Sequence, residues 1–577
     1  MRLNILKGGF FVKTKKLMAT LLTLSLTASI ALVGCGKKAV VTPETAKPGT
    51  DATAKMDKAQ FLNGYLKAEP KSLDPSIATD LYASESLVNC MEGLTRIEQD
   101  DSGKDVIKPA AAKDWKTNAD KTVWTFNLRD LQWNDGKPVT AQDFEFAIKR
   151  ALNPKTASTY AFILFPIKNA LAYNSGKAKA EEVGIKAVDA KTVEFTLEKA
   201  CPYFLDLTYF KVMYPQREDI VKANGDKFGT EANTMVFNGP FILKNWAHQS
   251  KMEFEKNPTY WDKDSVKLEK LTLNILKDET ARMNSLSSGV IDYSLVGKAE
   301  WIEKLKSTNK FDITTFNEPA ESYMHFNQKD KYFKNAKIRQ AFSLAVDRED
   351  TVKVLYKGLA QPAYGWCPPA LQIGGKDYRE KVALEPLKAF KAANPDAKKL
   401  LVEGLKEIGA DPDPAKATFS LLEAGTDAQA REFAEYTQQM YKKNLGIDLK
   451  VEYVDWAVAQ KRADQFDYQI TGVAWSGDYN DPNTFFDMFM TGANIVATGW
   501  SNPKYDKLIK DAADTVDPEK RTEFFKQAEK ILLVDDAVVA PTVYRVKNNF
   551  RAKYLKKVMS PLFGANDFKY AYTEGRK

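Results

Sequence analysis

Trp133-Asn134-Asp135-Gly136-Lys137-Pro138-Val139-Thr140-Ala141-Gln142-Asp143-Phe144 is the most informative stretch of this 577-residue chain. Just before it, residues 122–128 (Thr-Val-Trp-Thr-Phe-Asn-Leu) alternate apolar and polar side chains, which predicts a strand. Within it, Thr140 is placed to cap a helix, with Asp143 three positions on as the partner of a capping box. Phe144, Ile148, Ala151 and Leu152 then give that helix one apolar face. A strand that runs into an amphipathic helix argues for α/β layers.

The same alternation of periods continues outward in both directions. Residues 61–68, 268–276, 419–422, 448–454 and 468–474 read as strands. Asn335 is a cap for a second helix, whose Ile338, Ala341, Phe342, Ala345 and Val346 fall on one face. Residues 428–443 and 521–533 read as helices, and Pro- and Gly-rich junctions interrupt the chain at 361–375 and 411–414. No short period repeats, so a solenoid is not expected.

The N-terminus reads as an export signal. Lys13, Lys15 and Lys16 precede an apolar run over residues 17–33, which ends in Leu32-Val33-Gly34-Cys35. That ending resembles a bacterial lipobox, in which the Cys is diacylated and becomes the first mature residue. Residues 1–34 are therefore expected to be a signal peptide and Cys35 the lipidation site. Met1 and Val12 both stay open as translation starts, since Lys7-Gly8-Gly9 reads as a translated purine-rich ribosome-binding site. Residues 35–58 are rich in Lys, Thr, Ala and Pro and form the expected lipidated tether. The body starts near Ala59, has no second long apolar run, and is expected to be soluble.

Charge and cysteine content narrow the function. Removal of the five basic residues Arg2, Lys7, Lys13, Lys15 and Lys16 with the signal lowers the formal net charge from +8 to +3. That is a mixed surface and predicts no nucleic-acid partner. Besides Cys35, the chain has Cys90, Cys201 and Cys367, an odd number without CxxC spacing, expected as buried free thiols.

Enzymatic motifs are missing from the sequence. The two His, His248 and His325, lie far apart, and no His-Glu-x-x-His, Gly-x-Ser-x-Gly or Gly-x4-Gly-Lys-[Ser/Thr] occurs. His248 reads as a surface turn residue, and His325 as a packed strand residue. Nothing in the spacing of the acids selects a catalytic pair. Asp478-Tyr479-Asn480-Asp481-Pro482-Asn483 fails as a calcium loop: Pro482 stands at the fifth position, Asn483 where Gly is needed, and Phe489 at the twelfth. The expectation is a non-enzyme without cofactor or metal.

Several segments are similar to one family. Ala68-Glu69-Pro70-Lys71-Ser72-Leu73-Asp74-Pro75, Glu92-Gly93-Leu94, the stretch quoted first, Asn238-Gly239-Pro240-Phe241, Asn257-Pro258-Thr259-Tyr260-Trp261 and the run from Ile338 to Arg348 follow one another in its order. They resemble the large solute-binding proteins of peptide ABC importers, family 5, over nearly the whole chain from Phe61.

The resemblance implies a two-lobed periplasmic-binding-protein clamp of mixed β-sheets flanked by helices, with an extra third domain. Lobe I would combine residues 59–81, 205–315 and 546–577; residues 82–204 would form the small domain and 316–545 lobe II. An extended oligopeptide would lie between the lobes, paired as an added strand. Trp475-Ser476-Gly477-Asp478-Tyr479-Asn480-Asp481-Pro482 resembles the family segment whose Asp binds the peptide's α-ammonium, which assigns that role to Asp478. Ala474, Trp475 and Ser476 would pair with the peptide on one side, residues 69–71 beginning at Glu69 on the other, and Tyr160 would contact the ligand. Ser476 stands where some relatives carry a bridged Cys, so that disulfide is not expected. The partners implied are an ABC permease and its ATPase, with the protein a monomer held on the outer face of the cell membrane by lipid on Cys35. A Gram-positive surface suits the anchor and tether better than a Gram-negative periplasm. The alternatives keep the fold and change the ligand to a dipeptide, a signalling peptide or another small solute; a free amino group suits Asp478, and the scarcity of His disfavours nickel or haem.

Overall fold

The computed structural model describes residues 56–576, apart from 79, 101–102, 384, 427 and 494. The expected signal segment, Cys35 and most of the expected tether lie outside the described residues. The ordered body takes in Asp57, just ahead of the expected start at Ala59: its carboxylate accepts from the main chain of Gly575 at 2.9 Å and Arg576 at 3.2 Å.

The alternating strand and its helix form as read. Strand Val123–Leu128 buries Phe126 and Leu128 and sits inside a four-stranded antiparallel sheet, between Ala112–Thr117 and Thr192–Thr196, with Ile185–Asp189 beyond. Helix Ala141–Leu152 packs on it with Phe144, Ile148, Ala151 and Leu152 buried. The Asp143 carboxylate accepts from the Thr140 main chain at 2.8 Å, which satisfies a donor ahead of the first turn.

A second sheet is mixed. Phe61–Leu66 runs parallel to Lys270–Ile275, which pairs antiparallel with Lys251–Lys256, followed by Phe241–Ala247. One apolar core joins both sheets, from Leu271 and Phe254 through Phe126, Trp133 and Phe195.

The largest sheet has seven strands. Its spine is the long antiparallel pair Phe311–Phe326 and Val539–Ala552, with its register broken between Asn317 and Glu321 and again between Ser322 and Tyr323. At one end Phe311 and Phe550 join the first core. At the other end the sheet continues through Ile470–Ser476, Phe419–Ala424 and Leu449–Val454. Two further cores flank this part, one around Trp366, Phe485 and Phe525, the other around Phe326, Phe342 and Tyr441. Each such fully buried aromatic or aliphatic side chain contributes about 1.5–3 kcal/mol relative to exposure.

The helix expected over residues 521–533 is shifted. It runs Pro518–Lys530, then widens into a π turn over Ile531–Asp535. Side chains from helix Ala336–Leu344 pull on that turn: Arg339 donates twice to the Asp536 carbonyl, at 2.6 and 2.8 Å, and Gln340 to the Val534 carbonyl at 2.8 Å. Asn335 caps the helix by accepting from the Ile338 main chain.

His325 is a packed strand residue, 3.0 Å from the Tyr468 hydroxyl, and burial pushes its imidazole down to about 3. Cys90, Cys201 and Cys367 are buried and unbridged. Among the described residues no helix is long and apolar enough to cross a membrane.

Candidate functional site

Strand Ile470–Ser476 is paired along its full length on one side, from Phe326↔Ile470 to Ala320↔Ser476. On the other side the ladder with Phe419–Ala424 holds only Ile470 and Thr471. Its last residues therefore present a sheet edge, and Ala474 and Ser476 are exposed there. Trp475 is half-buried, with its indole N–H donating to the Thr484 carbonyl at 2.9 Å.

The turn that follows is fixed almost entirely by its own protein. Gly477 donates to the Pro319 carbonyl at 2.9 Å, and a Cβ there would lie 3.1 Å from both Phe563 and Thr484. The Asp478 main chain donates to the Thr484 hydroxyl at 3.0 Å. Tyr479 stacks on Tyr203 with ring centres 4.6 Å apart. Asn480 accepts from Gln372, and Asp481 forms a bidentate pair with Arg521 at 2.6 and 2.7 Å, both side chains buried.

The Asp478 carboxylate faces other company. It accepts from the Tyr160 hydroxyl and senses the Lys211 ammonium. Burial outweighs both and pushes the carboxyl up to about 6, although the residue keeps part of its surface open. The Tyr160 hydroxyl is pushed upward by burial and by the Asp478 charge.

Asp478, Tyr160 and the edge through Ala474, Trp475 and Ser476 thus come together. The role expected of Glu69 is main-chain pairing; its carboxylate is committed to a hairpin turn, accepting from Trp246 at 2.8 Å, His248 at 2.7 Å and Gln249 at 3.2 Å. His248, half-exposed as a turn residue, bridges Glu69 and Glu231. Sequence reasoning missed Lys211. Its only signal was a lone Lys inside Tyr209-Phe210-Lys211-Val212-Met213. A cavity of about 310 Å³ opens beside the turn, walled by Phe162, Phe165, Tyr203 and Tyr479, with Asp487 at its edge. Among the described residues no cluster of His, Cys, Asp and Glu is arranged to hold a metal ion.

The model of the bacterial extracellular solute-binding proteins, family 5, matches residues 106–496, well over half of the chain. The chain belongs to this family. It is therefore a solute-binding protein and not an enzyme, and its fold is the two-lobed α/β clamp with an additional domain. This family 5 protein is 34% identical over 562 residues to the dipeptide-binding protein DppE of Bacillus subtilis, covering 97% of this chain and 99% of the relative. It is equally similar, at 34% over 562 residues, to the oligopeptide-binding protein OppA of that bacterium, covering 96% and 99%. Among solved structures, Listeria monocytogenes OppA bound to peptide superposes with a TM-score of 0.75 at 32% identity, over 90% of this chain and 99% of that one.

Proposed function

We propose that this protein captures oligopeptides outside the cytoplasm and passes them to the permease and ATPase of an ABC importer. The observation that carries the reading is the open edge of Ile470–Ser476, which leads into the desolvated carboxylate of Asp478. An extended peptide adds to that edge through main-chain hydrogen bonds, which are the same for every sequence. Its ammonium meets Asp478, which fixes the register. The relatives' names include both dipeptide and oligopeptide binders; an edge exposed over several residues favours the longer ligand. The lobes, as segmented from the sequence, close about the long strands Phe311–Phe326 and Val539–Ala552, with the register breaks near Asn317 and Glu321 as the point of bending.

Calorimetry with unrelated hexapeptides tests this. Binding should survive exchange of the side chains and be lost when alternate main-chain nitrogens are methylated. Tight binding of the methylated peptides would remove the added-strand mode.

The pH response has a defined sign. The charged carboxylate is the form that binds an ammonium, and the ammonium in turn lowers the carboxyl's pKa. Affinity therefore falls as the pH drops below about 6, the value for Asp478, and falls again on the alkaline side as the peptide's amino group, at about 8, loses its proton. Titrations from acid to neutral pH should show that fall in the parent and not in Asp478→Asn.

Anchoring through lipid on Cys35 completes the proposal. Two acyl chains would hold the protein at the membrane, at about 0.8 kcal/mol per buried methylene. Cys35→Ala should move the protein from the membrane fraction to the medium; retention would place the anchor elsewhere.

A further inference from the structure

Lys211 is the least expected charge in the site. It is buried beside a carboxylate that an incoming ammonium is meant to neutralise. Its Nζ donates to the Ser84 hydroxyl at 2.8 Å. The rings of Tyr160 and Phe210 both have their centres 4.9 Å from it, within cation–π range. Asp80 and Asp478 are the acids that favour its charge. Asp80 is otherwise occupied at the start of helix Leu81–Cys90, where it accepts from Ala83 at 2.8 Å. Ser84, Tyr160, Lys211 and Asp478 belong to four separate segments of the chain; this cation bonds to the first, lies against the second and senses the charge of the last.

A buried carboxylate that relies wholly on its ligand for a partner penalises any ligand without a cation, because the charge is then stranded. Here the protein supplies a cation of its own. Burial pushes the Lys211 ammonium down to about 8, so it remains charged at neutral pH. Asp478 is therefore neutralised in part before any ligand arrives. An ammonium has three donors and no acceptor, so beyond Ser84 it still has N–H groups for a ligand oxygen.

We infer that Lys211 is a resident cation that lets the site accept peptides with an acylated N-terminus as well as those with a free amino group. With a free peptide, two cations share the carboxylates of Asp80 and Asp478. With an acylated peptide, the field of Lys211 offsets the charge of Asp478, and its free N–H groups donate to the acyl carbonyl. The inference rests on the assignment of Asp478 as the N-terminal anchor.

The test is a pair of calorimetric titrations, one hexapeptide with a free amino terminus and the same peptide N-acetylated, on the intact protein and on Lys211→Met at pH 7. The parent should bind the two within about tenfold of each other. Lys211→Met should keep or strengthen binding of the free peptide and widen the preference against the acetylated one to about a hundredfold or more, the scale of an unpaired buried charge. A parent that binds the free peptide but rejects the acetylated one by more than a hundredfold overturns the inference and leaves the peptide-binding reading intact. An unchanged ratio in a folded Lys211→Met overturns it in the same way. If that variant does not fold, the ratio in the parent decides alone. Failure of the parent to bind either peptide removes the underlying reading and the inference with it.

Discussion

Asp478→Ala is expected to weaken the binding of a free-amino peptide by about 3–5 kcal/mol, a loss of at least two powers of ten in affinity. The size follows from what remains behind. The peptide ammonium enters a desolvated position without its counter-ion, and Lys211, now without Asp478 to offset it, repels the newcomer. Asp478→Asn is the sharper comparison, because it keeps an oxygen that can accept from the Tyr160 hydroxyl and removes only the charge. It should lose nearly as much as the alanine variant. Titration calorimetry at pH 7.5 measures both. Unchanged affinity in either variant would remove Asp478 from the site while leaving the fold as described.

The second large effect concerns stability. Arg96 lies between two buried carboxylates, its Nε 2.5 Å from Asp567 and its Nη1 3.2 Å from Glu92, with Nη2 donating to the Val88 carbonyl at 3.0 Å. Glu92 also accepts from the Tyr260 hydroxyl and, at 2.5 Å, from the Trp261 indole. Arg96→Ala leaves both acids buried and short of a cation. The expected cost is about 3–5 kcal/mol, read from the shift of the urea midpoint. The network ties the C-terminal segment at Asp567 to strand Thr95–Gln99 and, through the Val88 carbonyl, to helix Leu81–Cys90, so the C-terminal segment should loosen first. Faster hydrogen exchange around Asp567 and Phe568 would show this. A cost below about 1 kcal/mol would mean that the network behaves as a solvated surface pair.

This network explains why so much of the fold was legible. The short motifs that carried the resemblance are residues that bond to each other across the chain. Glu92 receives Tyr260 and Trp261, and Asn238 exchanges two 3.0 Å bonds with the Glu92 main chain. Gly239 approaches so closely that a Cβ would fall 2.5 Å from the Cys90 backbone. Asn134 exchanges bonds with Phe237 at 2.6 and 2.8 Å. Each residue type is dictated by a specific partner, so the types survive as recognisable strings.

The local elements were readable for a simpler reason. Strand and helix periods, and caps such as Asn335 and Thr140 with Asp143, depend on near neighbours only. The order of the large sheet does not. Nothing near Tyr293–Leu295 reveals that it pairs with residues 549–551. The shift of the helix expected at 521–533 has the same origin, since the side chains that open its end come from Arg339 and Gln340.

The proposed site divides along this line. Asp478 was legible through its flanking turn, whose Gly477, Tyr479 and Asp481 have fixed structural duties. Lys211 was not, because its meaning comes from Ser84, Tyr160 and Asp478, each distant in sequence. The role expected of Glu69 is a main-chain one, and its carboxylate, turned to Trp246 and His248, holds the hairpin turn beside it.

The most direct test of the central claim is native mass spectrometry of the compact body, Ala54–Lys577, purified from a peptide-rich lysate. The account predicts a ladder of bound masses that dissociate as short peptides of unrelated sequence, with their spread of lengths giving the size preference and Asp478→Ala losing the ladder. A single non-peptide mass, or a protein that stays empty and takes up no added peptide, would contradict it.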